Sequence, residues 1–308
     1  MKVVSFYRFT RVSDTAKLRA ALQTLCEKHG LRGTVLVAEE GVNGTLAGGE
    51  KALQSILRWL EKELALVEPI DGRWTEADEA PFRRMRIKVK NEIVTLGRPD
   101  ITPQTKTGKH IEADEWNKLI ADPDTLVIDT RNHYEIEVGS FPNAIDPGTD
   151  SFRQFPGFAE ELAEAGRDRL LAMFCTGGIR CEKATALMLD LGFQEVYQLQ
   201  GGILNYLENV TDKENQWQGE CFVFDKRVAV DGDLAEGGYV QCHACRRPLS
   251  SEDLASAGYR EGVSCPKCIR TLGDERAARL EERRKQVALA RDRGEEHIGA
   301  KLDRAIRN

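Results

Sequence analysis

The sequence predicts a multi-domain protein with an α+β domain, a parallel α/β domain, and a small cysteine-rich segment that leads into a charged helix. Three observations support this fold class. The chain has 308 residues, which is about twice the length of a typical domain. Strand-like apolar runs alternate with helical patterns along most of it. Two CxxC pairs, CHAC and CPKC, follow in the C-terminal third.

Composition narrows the functional classes. The formal net charge of −6 argues against a protein that coats nucleic acid non-specifically, although a local basic face is compatible with it. The start, MKVVSFYRFT, has too short an apolar run for a signal peptide, and no later run has the length of a membrane span. We therefore expect a cytoplasmic protein with no membrane partner. In that compartment its cysteines are expected to be catalytic or metal-binding thiols.

Residues 1–98 show the element order of a ferredoxin-like, or acylphosphatase-like, domain. The run VVSFYRF predicts a strand, an amphipathic helix follows, and GTVLVAEE predicts a second strand. A glycine-bearing turn, a second amphipathic helix and the strand-like stretch FRRMRIKVKNEIVTLG complete the domain. This order is typical of a split βαβ fold.

A polar stretch, GRPDITPQTKTGKHIEADE, separates this domain from the next. The apolar runs TLVIDT, RLLAMFC and VYQLQG then alternate with helical segments, which indicates a parallel sheet covered on both faces. We assign residues 99–213 to this α/β domain with its linker. Residues 214–270 form the cysteine-rich segment, and residues 271–308 form a charged helical tail that is expected to be solvated.

A reactive cysteine is predicted at the end of the run RLLAMFC. Cys175 stands where a parallel strand ends and a helix begins, which is where α/β sheets bind ligands. The predicted active-site loop comprises Thr176, Gly177, Gly178, Ile179 and Arg180. Its glycines let backbone N–H groups converge on the sulfur, while the helix N-terminus and Arg180 add positive charge. These features should lower the Cys175 pKa; a buried structural cysteine is the alternative.

The loop and the segment before it resemble rhodaneses. Four residues separate Cys175 from Arg180, one fewer than in cysteine phosphatases, and this tighter spacing resembles the rhodanese loop, where the cysteine carries a persulfide. The upstream segment VIDTRNHYEIEVGSFPNAI is also similar to rhodaneses. The matching positions are Asp129, Arg131, Glu135, Gly139 and Ala144. The resemblance implies that Asp129 and Arg131 support the loop structurally, and it gives residues 99–213 a rhodanese-like fold.

Five stretches together resemble the rhodanese-domain tRNA uridine(34) hydroxylase family. In chain order they are EEGVNGTLAG, FRRMRIKVKNEIV, DTRNHYEIEVGSF, FCTGGIRCEKA and CFVFDKRV. The resemblance implies oxygen-dependent hydroxylation of the wobble uridine at carbon 5, which gives 5-hydroxyuridine in tRNA, with Cys175 at the essential position. It also implies the tRNA anticodon loop as partner, and O2 as co-substrate with a reductant that the sequence does not identify.

A basic row on one strand is a candidate RNA contact. In RRMRIKVK, four basic residues alternate with apolar ones and share one strand face: Arg84, Arg86, Lys88 and Lys90. Such a row suits a phosphate backbone, and a solvated outer face is the alternative. The wobble base would have to be splayed into the Cys175 pocket. Phe152, Phe155 and Phe158 are candidate stacking residues, of which at least two are expected in the core.

The remaining cysteines predict a metal site and core packing. Four of them have the spacing of a structural Zn²⁺ site, with two disulfides as the alternative: Cys242, Cys245, Cys265 and Cys268. Cys181 follows the loop and either resolves an oxidised Cys175 as a disulfide or packs as a small apolar side chain. Cys26 and Cys221 are expected in the core.

Three functions are compatible with these observations. An RNA-modifying oxidoreductase is the leading interpretation. A thiosulfate or persulfide sulfurtransferase would use the same Cys175 loop but would not need the basic strand, and a non-catalytic binding module would not need an intact Cys175 and Arg180. The sequence contains neither an iron facial triad nor a dinucleotide fingerprint, so it does not predict how oxygen is activated. One hypothesis is that Cys175 adds to carbon 6 of uracil and makes carbon 5 nucleophilic. The choice of tRNAs and the oligomeric state stay open.

Overall fold

The computed structural model describes residues 1–294, and contacts within the chain divide it into two units. The first unit is Met1–Gly237, and the second unit begins at Gly238. The first unit contains the predicted ferredoxin-like and parallel α/β domains, and the second contains both CxxC pairs. The predicted fold class is therefore confirmed.

The N-terminal domain is built on a five-stranded sheet. Its elements are β1 (Lys2–Phe9), α1 (Thr15–Lys28), β2 (Arg32–Ala38), β3 (Gly41–Gly48), α2 (Glu50–Glu63), β4 (Arg73–Glu76) and β5 (Met85–Val89). The strand order is β4-β1-β3-β2-β5, in which β1 to β4 pair antiparallel. This is the ferredoxin-like arrangement, and β5 extends it as an edge strand parallel to β2.

Strand alternation gives this sheet two different faces. Along β1, Val4 and Phe6 pack with both helices in one core, which also buries Cys26 of α1. Ser5 and Tyr7 point to the opposite face because successive side chains alternate. The two helices thus cover one face, and the other is left for contact with the second domain.

The second domain is a parallel sheet with helices on both faces. Its elements are β6 (Lys109–Ile111), α3 (Ala113–Ile120), β7 (Thr125–Asp129), α4 (His133–Ile136), β8 (Gly139–Ser140), α5 (Phe155–Ala165), β9 (Leu170–Phe174), α6 (Ile179–Asp190), β10 (Val196–Leu199) and α7 (Gly202–Asn209). The order β6-β10-β9-β7 is parallel throughout. On the central strand, Leu171 and Met173 pack against α5 and α6. Ala172 and Phe174 pack against α3 and α7, so β9 is buried on both faces.

Residues 214–237 pack with this second domain, whereas the sequence grouped them with the cysteine pairs. They form β11 (Gln218–Gly219), β12 (Cys221–Phe222) and β13 (Ala229–Val230). β11 pairs with β8, and Trp217, Cys221 and Val230 join the core beside α3 and α7. Apolar burial therefore ties this stretch to the first unit.

A buried lysine connects the two domains of the first unit. Lys183 of α6 has no exposed side-chain surface, and its Nζ lies 2.7 Å from Glu40 Oε2 and 2.7 Å from Glu92 Oε2. Glu40 Oε1 also accepts the N–H of Ile93, and Glu92 accepts that of Leu96. The helix after the Cys175 loop is thus fixed to the N-terminal domain at the β2–β3 turn and at the segment after β5.

The second unit is small and centred on its cysteines. Its elements are β14 (Val240–Gln241), β15 (Pro248–Leu249), α8 (Ser251–Ala255) and α9 (Asp274–Asp292). The helix α9 accounts for part of the predicted tail, and residues 295–308 lie outside the described residues. Within residues 1–294, no helix has the length and apolar character needed to cross a membrane.

Candidate active site

Cys175 lies directly after β9, at the carboxyl end of the central strand. Its side chain is almost fully buried, and Sγ accepts the Gly178 N–H at 3.1 Å. Gly178 caps α6 with a φ of 91°, a conformation that suits glycine. The loop is held from behind, because the Cys175 and Thr176 carbonyls accept the N–H groups of Ile203 and Leu204 in α7. The sequence predicted a reactive cysteine and a glycine loop at this position, and the backbone adopts the turn that the glycines allow.

Local charges and donors favour the Cys175 thiolate. Burial opposes it, but the Cys181 thiol, the Arg180 charge and the backbone N–H groups of Cys181 and Arg180 outweigh that effect. Together they lower the Cys175 pKa to about 6. Burial and the neighbouring Cys175 raise the pKa of Cys181 well above its usual value, so Cys181 remains a thiol that donates to Cys175. Both predicted roles of Cys181, resolving thiol and packing residue, stay predictions.

Arg180 is anchored by a carboxylate. Its Nη1 and Nη2 donate to Glu135 Oε1 and Oε2 at 2.9 and 2.8 Å, and its guanidinium lies over the Phe224 ring at 5.5 Å. Two of the Arg180 donors are thus engaged by Glu135. Arg180 acts on Cys175 through its charge, and Glu135 fixes where that charge lies.

Asp129 and Arg131 hold the segment that carries Glu135. Both are fully buried, and Arg131 donates to both Asp129 oxygens, through Nε at 2.9 Å and Nη2 at 2.6 Å. Arg131 also donates to the carbonyls of Glu135 and Gly139. These contacts fix the segment that binds Arg180 through Glu135, and the supporting role of Asp129 and Arg131 stays a prediction.

A cavity of about 900 Å³ opens in front of Cys175, between the two domains of the first unit. One wall is the loop. The opposite wall is the helix-free face of the N-terminal sheet, which contributes Ser5, Tyr7, Thr34, Leu36, Asn43 and Thr45. Thr176 also lines the cavity, and its Oγ1 is buried without a hydrogen-bond partner among residues 1–294. The space therefore combines a nucleophile with polar groups available to a ligand.

Three cavity residues were missed by the sequence reasoning. The Tyr7 hydroxyl donates to Glu182 Oε1 at 3.0 Å, and His110 Nε2 lies 3.0 Å from the same oxygen. Tyr7 and Glu182 are 175 positions apart. Only the alternation of β1, which places Tyr7 on the face without helices, hinted at its location.

The predicted RNA-binding row lies elsewhere on the N-terminal domain. All four basic residues are exposed, with Arg86 and Lys88 within the edge strand β5 and Arg84 and Lys90 flanking it. None belongs to the cavity lining. Of the apolar residues that alternate with this row, Ile87 is buried and Met85 packs partly against the core, but Val89 is 45% exposed.

The phenylalanine stretch belongs to the core. Phe152 and Phe155 are buried against α6, and Phe158 packs partly on the same cluster. None of the three lines the cavity. The aromatic residues that do are Phe6, Tyr7, Phe9, Phe82 and Phe224.

The four predicted metal ligands converge in the second unit. One potential ligand atom from each of Cys242, Cys245, Cys265 and Cys268 lies within 4.8 Å of the others. The Cys245–Cys265 and Cys265–Cys268 sulfur distances are 3.7 and 3.6 Å. A tetrahedron with Zn–S bonds of about 2.3 Å requires sulfurs about 3.8 Å apart. The cluster can therefore hold a metal ion such as zinc.

Two family models match the chain. Residues 1–93 match the UPF0176 acylphosphatase like domain, and residues 112–209 match the rhodanese-like domain. The chain thus carries a UPF0176 acylphosphatase-like N-terminal domain followed by a rhodanese domain, which is consistent with the UPF0176 family. The rhodanese domain gives the Cys175 loop a sulfurtransferase-like active-site fold and indicates catalysis.

Solved structures resemble the two domains separately. A rhodanese-like domain from Anabaena sp. is 15% identical, with 37% of this chain and 80% of that chain covered and a TM-score of 0.30. A human single-domain sulfurtransferase is 22% identical, with 34% and 99% covered and a TM-score of 0.28. An acylphosphatase from Bacillus subtilis is 23% identical, with 29% and 99% covered and a TM-score of 0.23. At these values, the similarities bear on neither activity nor substrate.

Proposed function

We propose that this chain is an RNA-modifying oxidoreductase that hydroxylates the wobble uridine of tRNA at carbon 5. The observation that carries the proposal is the cavity of about 900 Å³ in which the Cys175 loop faces the N-terminal sheet. Ligand pockets span about 300–1,000 Å³, so this cavity suits an inserted nucleotide and exceeds what a small sulfur donor needs. Enzymes that modify a base take it out of its stack into such a pocket.

Cys175 supplies the nucleophile in this proposal. Its thiolate adds to carbon 6 of uracil, and the π electrons of the ring move toward carbon 5, which attacks oxygen. One oxygen atom of O2 stays on carbon 5, and the other leaves as water with two electrons and two protons from a reductant. Loss of the carbon 5 proton and of the carbon–sulfur bond restores the aromatic ring and the thiolate.

The cavity walls offer contacts for a uracil ring. Tyr7 and Phe224 present aromatic surface on opposite domains, and base–aromatic stacking stabilises inserted bases. Thr176 has an unpartnered hydroxyl beside Cys175, which suits a ring carbonyl. We assign tRNA backbone contact to the exposed row around β5, with Arg86 and Lys88 at its centre, because phosphates require such charge.

A sulfurtransferase is the second candidate, and the rhodanese domain match favours it. The Gly178 N–H that reaches the Cys175 sulfur would equally stabilise a persulfide. In that case the N-terminal wall would recognise a sulfur acceptor.

The deciding experiment measures modified nucleosides in tRNA. A bacterial host that lacks wobble-uridine hydroxylation expresses the wild-type chain, Cys175→Ala or Cys221→Ala, and its tRNA is digested and analysed by mass spectrometry. Cys221 is the matched control because it is another buried cysteine, outside the cavity lining. We expect one added oxygen at the wobble uridine with the wild type and Cys221→Ala only. No added oxygen with the wild type, together with sulfur release from thiosulfate by the purified protein, would favour the sulfurtransferase.

A further inference from the structure

Three titratable side chains, joined by hydrogen bonds, cross the boundary between the domains beside the Cys175 loop. Tyr7 of β1 donates to Glu182 Oε1 at 3.0 Å, and Glu182 belongs to the first turn of α6. His110 of β6 places Nε2 3.0 Å from that same oxygen. The chemistry described so far uses none of these three residues for proton transfer.

Tyr7, at one end of this hydrogen-bonded series, faces the cavity that contains the Cys175 sulfur. Tyr7 and Cys175 line the same cavity. The Tyr7 hydroxyl lies 3.0 Å from the position that a Cβ on Gly178 would occupy, and Gly178 is the residue whose N–H binds the Cys175 sulfur. The phenol oxygen is therefore next to the loop that holds the thiolate.

His110, at the other end of the series, reaches solvent. The His110 side chain is 38% exposed, whereas that of Glu182 is 12% exposed. Glu182 is held in place by a further partner, since Thr107 Oγ1 donates to Oε2 at 3.0 Å. A buried carboxylate thus stands between a phenol in the cavity and an imidazole that can exchange protons with water.

We propose that Tyr7, Glu182 and His110 form a proton path between the Cys175 cavity and solvent, with Tyr7 as its substrate end. The path rests on the proposed function and extends it to the proton at carbon 5. In the Cys175 adduct, His110 first releases its Nε2 proton to water. The Tyr7 oxygen then takes the carbon 5 proton while the Tyr7 proton passes to Glu182 Oε1 and from there to the open Nε2 of His110. The electron pair of the C–H bond forms the C5–C6 double bond, and the C6–S pair returns to sulfur. The step is redox-neutral and runs in reverse when carbon 5 is protonated.

At rest the path consists of a neutral phenol, a carboxylate and a protonated imidazole, because the hydrogen bond and charge of Glu182 raise the His110 pKa. Burial, Glu182 and Cys175 raise the Tyr7 pKa well above its usual value, so the phenol keeps its proton at rest. Burial opposes ionisation of Glu182, but the hydrogen bond and charge of His110 outweigh it and lower the Glu182 pKa. Glu182 is therefore a carboxylate that can accept the proton of Tyr7.

The test follows hydrogen exchange at carbon 5, which needs neither oxygen nor reductant. Unlabelled tRNA is incubated anaerobically with the purified full chain in D2O, and deuterium at the wobble uridine is measured by mass spectrometry. We expect exchange with the wild type and none with Cys175→Ala. Tyr7→Phe should slow exchange at least about 100-fold, the lower range for a positioned acid–base group. The matched control is Tyr197→Phe, whose hydroxyl also donates to a glutamate, Glu195, at 2.7 Å but lies outside the cavity lining.

Two further measurements separate proton transfer from a structural role. Tyr7→Phe should still be alkylated by iodoacetamide at Cys175 at the wild-type rate, because loss of the phenol oxygen leaves the loop that holds the thiolate in place. His110→Ala should slow exchange, and added imidazole should restore it, since a small base can replace an exposed histidine. Loss of Cys175 alkylation in Tyr7→Phe, or no rescue of His110→Ala exchange by imidazole, would overturn the path.

The outcomes distinguish this path from the function on which it rests. A wild-type protein that hydroxylates wobble uridine in the host but shows no exchange, or a Tyr7→Phe variant that exchanges at the wild-type rate, overturns the path alone. Exchange that depends on Tyr7, without hydroxylation in the host, supports the path and removes the oxygenation step. Neither hydroxylation nor exchange with the wild type overturns both.

Discussion

Removal of one thiol should move the pH at which Cys175 becomes reactive. A Cys175 pKa of about 6 means that about nine in ten molecules carry the thiolate at pH 7. The Cys181 thiol is the strongest favourable contribution, acting through a hydrogen bond. A hydrogen bond to a charged group contributes about 1.5–3 kcal/mol, and one pH unit corresponds to about 1.4 kcal/mol. Cys181→Ala should therefore raise the Cys175 pKa by about one to two, to between about 7 and 8.

The assay is the rate of iodoacetamide modification of Cys175 from pH 5 to 9, read by mass spectrometry of the peptide that carries it. The rate rises with pH because only the thiolate reacts, so Cys181→Ala should react several-fold more slowly at pH 7 and approach the wild-type rate near pH 9. In Cys181→Ser the hydroxyl can still donate to Cys175, so the midpoint of Cys175 modification should lie at a lower pH than in Cys181→Ala. In Cys221→Ala the midpoint of Cys175 modification should equal that of the wild type. A midpoint at or below about 6 in Cys181→Ala would refute the assigned role of this hydrogen bond.

Three further predictions concern the metal site, the lysine between the domains and the basic row. The purified chain should contain one zinc ion, which Cys265→Ser should lose; a zinc-free chain with two disulfides would contradict this. Lys183→Met leaves two carboxylates without their cation and should cost about 3–5 kcal/mol of unfolding free energy, measured by urea denaturation; an unchanged midpoint would contradict the ion pairs. Arg86→Ala with Lys88→Ala should weaken tRNA binding and reduce the slope of log K against log salt by about one per residue. An equal loss in Lys51→Ala, an exposed lysine of α2, would show that the effect is not local.

The sequence pattern predicted the strands whose side chains are strongly buried. The strands β7, β9 and β10 are apolar runs because a parallel sheet covered by helices buries both faces. The edge strand β6 was missed, since only Ile111 of its three residues is buried and the rest reads as polar linker. In β3, glycines suggested a turn, but Gly44 lies in a strand. A Cβ there would meet Val35 Cγ2 at 2.8 Å, so glycine permits close approach of two strands.

The candidate site was predictable only where its residues are local in sequence. Cys175, its glycines and Arg180 fall within one strand–loop–helix unit, so their spacing carries the chemistry. The Tyr7–Glu182 contact depends on how two domains pack, and no local pattern marks it. Glu135 was identified only as a position that matches the rhodanese segment. Its hydrogen bond to Arg180 joins residues 45 positions apart, so no local pattern predicted it.

The cavity draws its two walls from separate stretches of the chain, and this has a consequence for how such proteins diversify. Within the rhodanese domain, Glu135 binds Arg180 of the loop, and Asp129 and Arg131 hold the segment that carries Glu135. The facing wall of Ser5, Thr34 and Asn43 belongs to the N-terminal sheet, whose core lies on its other side. We expect substitutions on that wall to change which ligands the cavity accepts while the surroundings of the Cys175 sulfur stay the same. Chimeras that exchange residues 1–93 between relatives should therefore transfer ligand preference while the intrinsic reactivity of the cysteine stays with the recipient.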